Sequence, residues 1–197
     1  MNCWALIPIK ATQDSKSRLS GILDADQRQE LVSTMLANVL DAARHARTIS
    51  QIRLVGPTRA GLPDDIPLLG DPGLGLNPAV QSAFAEIADK GPDRVLILAA
   101  DLPEVTSYEL ETLCVAPSDT IAIAPDRHET GTNAICLPLP AARDFSFAFG
   151  PDSFAKHKVE ASRLGLNAEI VLSKGLERDI DEPSDLADAR QVLGLTL

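Results

Sequence analysis

RVLILAADLPEV, residues 94–105, is the stretch on which the fold turns. From Val95 to Ala100 it carries no polar side chain, which is how a central strand covered on both faces of a parallel sheet reads. Asp101 follows at once, and Pro103 then breaks the chain. A carboxylate just beyond a buried strand is costly unless it meets solvent, a cation or backbone donors. Helix capping or loop bracing satisfies it as well as a metal ion does, so the position alone leaves both readings open.

Working outward, CWALIPI (3–9) is a short apolar run of strand type, as are IRLVG (52–56) and IPLLG (66–70). Asp26 with Gln29 resembles a capping box, ahead of a helical stripe of Leu31, Met35, Leu36, Val39, Leu40 and Ala43 that runs to about Ala46. Asn77 as N-cap and Pro78 at the first helical position open a second helix, which carries Val80, Phe84, Ile87 and Ala88 inward and stops at Gly91. Thr106 with Glu109 starts a third. TIAIAP (120–125) and NAICL (133–137) are further strands. A helix follows from about Ser153 to Leu164, a strand near Glu169 to Leu172, and a last helix after Pro183. Strands alternating with helices predict an α/β fold, a three-layer sandwich with a mainly parallel mixed sheet, in a single domain over residues 1–197. In such folds ligands sit outside the C-terminal ends of strands.

Composition narrows the function. The 197 residues are 45% hydrophobic and 23% charged, and the 12 glycines and 14 prolines are close to average usage. A net charge of −10 argues against a nucleic-acid or membrane-surface binder. Cys3, Cys114 and Cys136 are far apart and form no CxxC, against a disulfide framework or a structural zinc site. The apolar run before Lys10 is too short for a signal segment or a membrane span, so a cytoplasmic protein is expected.

Six segments that follow strands or open helices can carry chemistry. IPIKATQDSKSRL (7–19) sets Lys10, Lys16 and Arg18 against one acid, Asp14, in an otherwise acidic chain. It is no P-loop, but such cations can surround a polyphosphate. LGDPGLGLNPAV (69–80) offers Gly73 and Gly75 for close backbone approach and free amides at a helix start. LILAADLPEV supplies Asp101, and Mg²⁺ with substrate phosphates is its natural partner. PDRHETGTNAI (125–135) gathers Arg127, His128, Thr130, Thr132 and Asn133 around Gly131, enough hydroxyls to hold a phosphate or carboxylate without proton transfer. In FGPDSFAKHKVEA (149–161), Gly150 and Ser153 lead into a helix whose amides form an anion pocket, while Lys156, His157 and Lys158 read as solvated. In RDIDEPSDL (178–186), Asp179 and Asp181 alternate along an extended segment, so only one of them reaches back toward Asp101. Capping ahead of Pro183 is the plainer reading of Asp181 or Glu182.

Taken together, IPIK with KSRL, GLN, AADLP, DRHETGTNA, FGPDSFAKH and DIDEPSDL resemble the 2-phospho-L-lactate guanylyltransferases and their phosphoenolpyruvate and 3-phospho-D-glycerate counterparts, in family order from residue 7 to 186. FGPDSFAKH and DRHETGTNA are the specific strings. Two departures stand out: Pro78 replaces a small residue, and Glu129 occupies a place that is often glycine. The resemblance implies a fold like the glycosyltransferase-A and nucleotide-diphospho-sugar transferases. It implies an enzyme that joins GTP to a three-carbon phospho-acid and releases pyrophosphate, in the biosynthesis of coenzyme F-420. By the same resemblance Asp101 and Asp181 hold Mg²⁺, and no organic cofactor is used. Lys10, Lys16 and Arg18 neutralise the triphosphate and share the catalytic role with Asp101, while Gly75 and Asn77 contact the nucleotide. Thr130, Thr132, Asn133, Gly150 and Ser153 hold the acceptor.

Chemistry suits this reading. The acceptor's phosphate oxygen is already anionic, so no Ser-His-Asp or Cys-His arrangement is needed, and local cations with a metal offset repulsion between two polyanions. Two competitors are a nucleotidyltransferase acting on a molybdopterin or sugar-phosphate, and a non-catalytic nucleotide-binding regulator. The first usually opens on a glycine-rich LAGGxSxRMGxxK motif that this chain lacks; the second has no use for paired carboxylates.

Overall fold

The computed structural model describes residues 1–9, 16–59 and 64–186. Strand β1 (Cys3–Pro8) leads through a short 3₁₀ turn (Ser17–Leu19) to helix α1 (Ala25–His45), then to β2 (Ile49–Val55) and the two-residue β3 (Leu68–Leu69). Helix α2 (Leu76–Ala88) precedes β4 (Arg94–Leu98), and α3 (Ser107–Cys114) precedes β5 (Thr120–Pro125) and β6 (Thr132–Pro138). Helix α4 (Ser153–Arg163), β7 (Asn167–Ile170) and the short α5 (Lys174–Glu177) follow, and residues 183–186 are again helical.

The strands form one sheet in the order β3-β2-β1-β4-β6-β5-β7. Pairs β2–β3, β1–β2, β1–β4 and β5–β7 are parallel, and β6 runs antiparallel to both its neighbours. The mixed, mainly parallel sheet is therefore as the sequence predicts. Strand residues alternate between two cores. Leu96 and Leu98 of β4 face α1, α3 and α5, while Val95 and Ile97 face α2 and α4. Every residue of β4 is buried, the condition its apolar run announced. No helix among the described residues is long and apolar enough to cross a membrane.

Several boundaries differ from the sequence reading, each for a local reason. The capping box of α1 is Asp24 with Gln27, not Asp26 with Gln29; both pairs satisfy the pattern, and Asp26 lies in the first turn, where its charge suits the helix dipole. Gly75, not Asn77, is the N-cap of α2, because φ +99 there turns the chain into the helix two residues earlier. β3 is shorter than IPLLG suggests, and β7 begins two residues before Glu169. Helix α5 carries no sequence signature because four residues are too few for periodicity. Its Gly175 lies so close to the α3 capping box that an added Cβ would stand 2.4 Å from Glu109 Oε2.

Candidate active site

β1 and β4 are parallel neighbours, and their C-terminal ends open onto one edge of the sheet. Asp101, just past β4, meets there the turn after β1 and the segment after α5. Lys16 Nζ donates to Asp101 Oδ2 at 2.5 Å and to Asp181 Oδ1 at 2.8 Å, with its side chain only 8% exposed. Burial works against the ammonium charge, but the two carboxylates outweigh it and hold Lys16 above its ordinary pKa. Asp179 joins the group: one oxygen from each of Asp101, Asp179 and Asp181 lies within 4.8 Å of the others. Burial first, then repulsion by Asp101 and Asp181, pushes the Asp179 carboxyl up to about 6. The alternation argument for 178–182 therefore fails. These residues are not a regular strand, and both aspartates turn toward Asp101.

Three devices hold this geometry. Leu19 and Leu23 pack with Leu31 and Met35 of α1 and with Ile180 and Leu186, a satellite core joining the Lys16 turn to the Asp181 segment. Asp185, buried and missed by the sequence reading, accepts from the backbone N–H of Asp181 (2.9 Å) and Glu182 (2.7 Å), and Arg127 pairs with it at 2.5 Å. Glu182 stands at the N-cap of the helical turn 183–186, and Asp185 reaches back to it as the third residue of a capping box does. Finally, Glu109 accepts from the Gly175 amide at 2.9 Å, docking α5 and the aspartates beyond it onto α3. Arg18 is exposed on the 3₁₀ turn and forms no ion pair with these aspartates. Lys10 lies outside the described residues.

A second group of assigned residues gathers where the β5–β6 hairpin meets α4. Asp126 closes the hairpin, accepting from the amide (2.9 Å) and hydroxyl (3.1 Å) of Thr130, and a Cβ on Gly131 would stand 2.7 Å from its carboxylate. The Phe154 amide donates to Thr130 O at 3.1 Å, bringing the first turn of α4 and the buried Ser153 against the hairpin. Gly150 adopts φ +114 just ahead of that turn. Asn133 donates to Leu176 O at 3.0 Å and so ties β6 to α5. His157 is fully buried, not solvated: it bonds Thr132 Oγ1 at 3.0 Å and the Ala148 amide at 3.1 Å. Arg127 links the two groups through Asp185, and Asn77 joins a third element to the second: its side chain donates to Phe149 O (3.0 Å) and accepts from Phe149 N (2.7 Å). Asn77 thus fastens the start of α2, beside Gly75, to the segment leading into Gly150.

A groove of about 610 Å³ runs beside this edge between α1 and residues 103–107. Asp41, His45 and Glu104 line it, and Glu104 is already paired with Lys174 and Arg178. What distinguishes the Lys16 cluster is not its charge but its geometry, three carboxylates close enough to share one divalent cation.

The mainly parallel sheet with β6 reversed, and Asp101 just past its central strand, is the fold that solved nucleotide-diphospho-sugar transferases share. A putative nucleotide-diphospho-sugar transferase from Desulfovibrio desulfuricans G20 superposes with a TM-score of 0.70 at 16% identity, covering 98% of this chain and 96% of that one. A protein of Mycobacterium tuberculosis H37Rv, solved in complex with manganese, does so with a TM-score of 0.64 at 16% identity and 99% coverage of both chains. Within that class the chain belongs to the CofC-like guanylyl transferase family, whose model matches residues 3–190. It is 39% identical over 194 residues to the phosphoenolpyruvate guanylyltransferase of Sphaerobacter thermophilus, covering 95% of this chain and 92% of that protein. It is 35% identical over 181 residues to the 2-phospho-L-lactate guanylyltransferase of Halorubrum lacusprofundi, covering 90% and 80%.

Proposed function

We propose that this chain transfers the guanylyl group of GTP to a phosphate oxygen of a three-carbon phospho-acid, a step of coenzyme F-420 assembly. An oxygen of the acceptor phosphate attacks the α-phosphorus of GTP, the bond from that phosphorus to the β-bridging oxygen breaks, and pyrophosphate leaves. The observation that carries the reading is the convergence of Asp101, Asp179 and Asp181 at the end of β4, two of them on one ammonium group, in a chain of this family. Hard carboxylate oxygens are the donor set of Mg²⁺ or Mn²⁺, and Lys16 shows that a cation is stable among them. Asp101 and Asp181, with Asp179 beside them, would hold the ion, which when bound offsets the charge developing on the departing pyrophosphate.

The other roles fall to the chain itself. Lys16, released from the aspartates, neutralises the triphosphate together with Lys10 and Arg18. Gly75 and the start of α2 receive the nucleotide, with Asn77 fixing their distance from Gly150. Thr130, Thr132 and Asn133 on the hairpin side, with Gly150 and Ser153 at the first turn of α4, receive the acceptor's anionic groups. Incubation with GTP, Mg²⁺ and phosphoenolpyruvate, 2-phospho-L-lactate or 3-phospho-D-glycerate separately, with products weighed by mass spectrometry, tests the proposal. One guanylylated acid and stoichiometric pyrophosphate are expected. Equal release from ATP, release without any phospho-acid, or turnover unaffected by excess chelator overturns it.

A further inference from the structure

Helix α4 carries Ser153 and His157 four residues apart, on one face, and that face meets the first residue of β6. The two ring nitrogens of His157 have different partners. The Ala148 N–H points at Nε2 from 3.1 Å, so Nε2 must present its lone pair. A hydrogen on Nε2 would face another hydrogen head-on, and the imidazolium is excluded for the same reason. The single N–H of the neutral ring therefore sits on Nδ1, 3.0 Å from Thr132 Oγ1, and the histidine is the donor in that bond. One lone pair of the Thr132 oxygen is then occupied, and its own hydrogen is turned away from the ring.

We propose that His157 is a positioning residue for the acceptor: by donating to Thr132 Oγ1 it commits the Thr132 hydroxyl to donate outward, to an anionic oxygen of the phospho-acid. The inference rests on the proposed guanylyl transfer and adds to it a chain running Ala148 N–H to Nε2, Nδ1–H to Oγ1, and O–H to substrate. Each bond in such a chain polarises the next, so the terminal hydroxyl becomes a stronger donor to an anion than an isolated threonine. The ring cannot turn to offer the opposite polarity. It is fully buried, with Phe149 edge-on at 4.9 Å and Phe145 at 5.7 Å. Burial also lowers its pKa to about 4, so the neutral tautomer persists across the working range. His157 therefore takes up and gives out no proton in the reaction. It acts through Thr132, and its backbone partner Ala148 adjoins Phe149, the residue gripped by Asn77, so the same ring also steadies the approach to Gly150.

The test compares His157→Leu, Thr132→Val and the double variant with the wild-type enzyme. Thr132→Val is expected to raise the KM for the phospho-acid roughly ten- to hundredfold, the scale of one hydrogen bond to a charged group, with kcat and the GTP KM within about threefold. His157→Leu should raise the same KM by a smaller factor, since the hydroxyl remains, and the double variant should be no worse than Thr132→Val, because the histidine acts through that one oxygen. His157→Asn, which keeps a donor near the Nδ1 position, should recover most of the acceptor affinity. Additive losses in the double variant, or a GTP KM that rises as much as the acceptor KM, overturn the proposal. If His157→Leu does not fold, ¹⁵N NMR of the wild-type ring decides: Nδ1 protonated and Nε2 bare at pH 7 supports it, and the reverse tautomer overturns it. Absence of turnover by the wild-type chain refutes the guanylyl-transfer reading itself, and is seen before any variant is made.

Discussion

Arg94 opens β4 and Asp101 follows its far end, so one strand carries a cluster of charge at each terminus. At the Arg94 end the guanidinium is 3% exposed and donates to the carbonyls of Ala116 (2.9 Å), Pro117 (3.1 Å) and Thr120 (2.7 Å) and to Cys136 Sγ (3.4 Å). No carboxylate is among these partners. Burial opposes a charge on the Cys136 thiol, but hydrogen bonds from Cys114 and Cys3 and the Arg94 charge outweigh it and hold Cys136 well below the usual thiol range. Cys114 is pushed up to about 12. The Arg94 guanidinium and three free cysteines are thus sealed in the core. At the Asp101 end the cation is a lysine, and its partners are side chains that remain 30% and 52% exposed. Fixed backbone oxygens make the first cluster a structural element, whereas the carboxylates of the second stay open to solvent and can exchange their cation, as the proposed metal site requires.

Backbone strain divides the same way. Among the described residues the three non-glycine positions with positive φ are Lys16 (57°), Glu129 (53°) and Asp152 (58°), all in loops at the Asp101 end. At the other end the turns leading into β4 and β7 use Gly91 and Gly165. Strain at a ligand site is tolerated where the surrounding structure holds it.

The contrast can be broken experimentally. Arg94→Met should give the largest effect, a loss of about 3–5 kcal/mol in unfolding free energy, since removing the buried guanidinium leaves the carbonyls of Ala116, Pro117 and Thr120 without their donor, at about 1–3 kcal/mol each. Urea titration reads it, and the folded fraction should keep its kcat. An unchanged urea midpoint would erase the distinction between the two ends. Asp101→Asn should show the opposite pattern. Its amide oxygen still accepts from Lys16, so stability should move by less than about 1 kcal/mol. Yet kcat should fall at least about a hundredfold, the ~2.7 kcal/mol of a strong electrostatic contact. Normal turnover there removes Asp101 from the metal centre. The smallest effect tests the strain. Glu129→Gly should stabilise by about 0.5–1 kcal/mol, left-handed relief of about 1–2 less the extra freedom of unfolded glycine. Gly91→Ala should cost about 1 kcal/mol or more. A melting temperature that falls with Glu129→Gly contradicts the assignment.

These differences mark what sequence can carry. β4 was legible because a strand buried on both faces needs an uninterrupted apolar run, and Asp101 because it stands where that run stops. Thr106 with Glu109 was legible because capping is local. Arg94 reads as the polar edge of a strand, and only the packing of β4, β6 and α3 reveals that it is buried. Alternation lets only one of Asp179 and Asp181 reach Asp101, but it holds in regular strands, and 178–182 is not one. His157 lies among two lysines, and the fourfold spacing to Ser153 was the available signal that it shares the inward face.

The satellite core of Leu19, Leu23, Leu31, Met35, Ile180 and Leu186 also has a consequence for the order in which the enzyme is made. Synthesis supplies Lys16 and Asp101 well before Asp179 and Asp181. At about 5–20 residues per second, roughly 4–16 s separate Asp101 from Asp181 on the ribosome. Throughout that interval the turn bearing Lys16 lacks both its second carboxylate and the two side chains that pin it. A nascent chain holding the whole of β4 therefore has Asp101 but neither of the two aspartates that join it, nor Ile180 and Leu186 of the satellite core. The carboxylate cluster is assembled in one late step, when the segment around Ile180 emerges and packs onto Leu19 and Leu23.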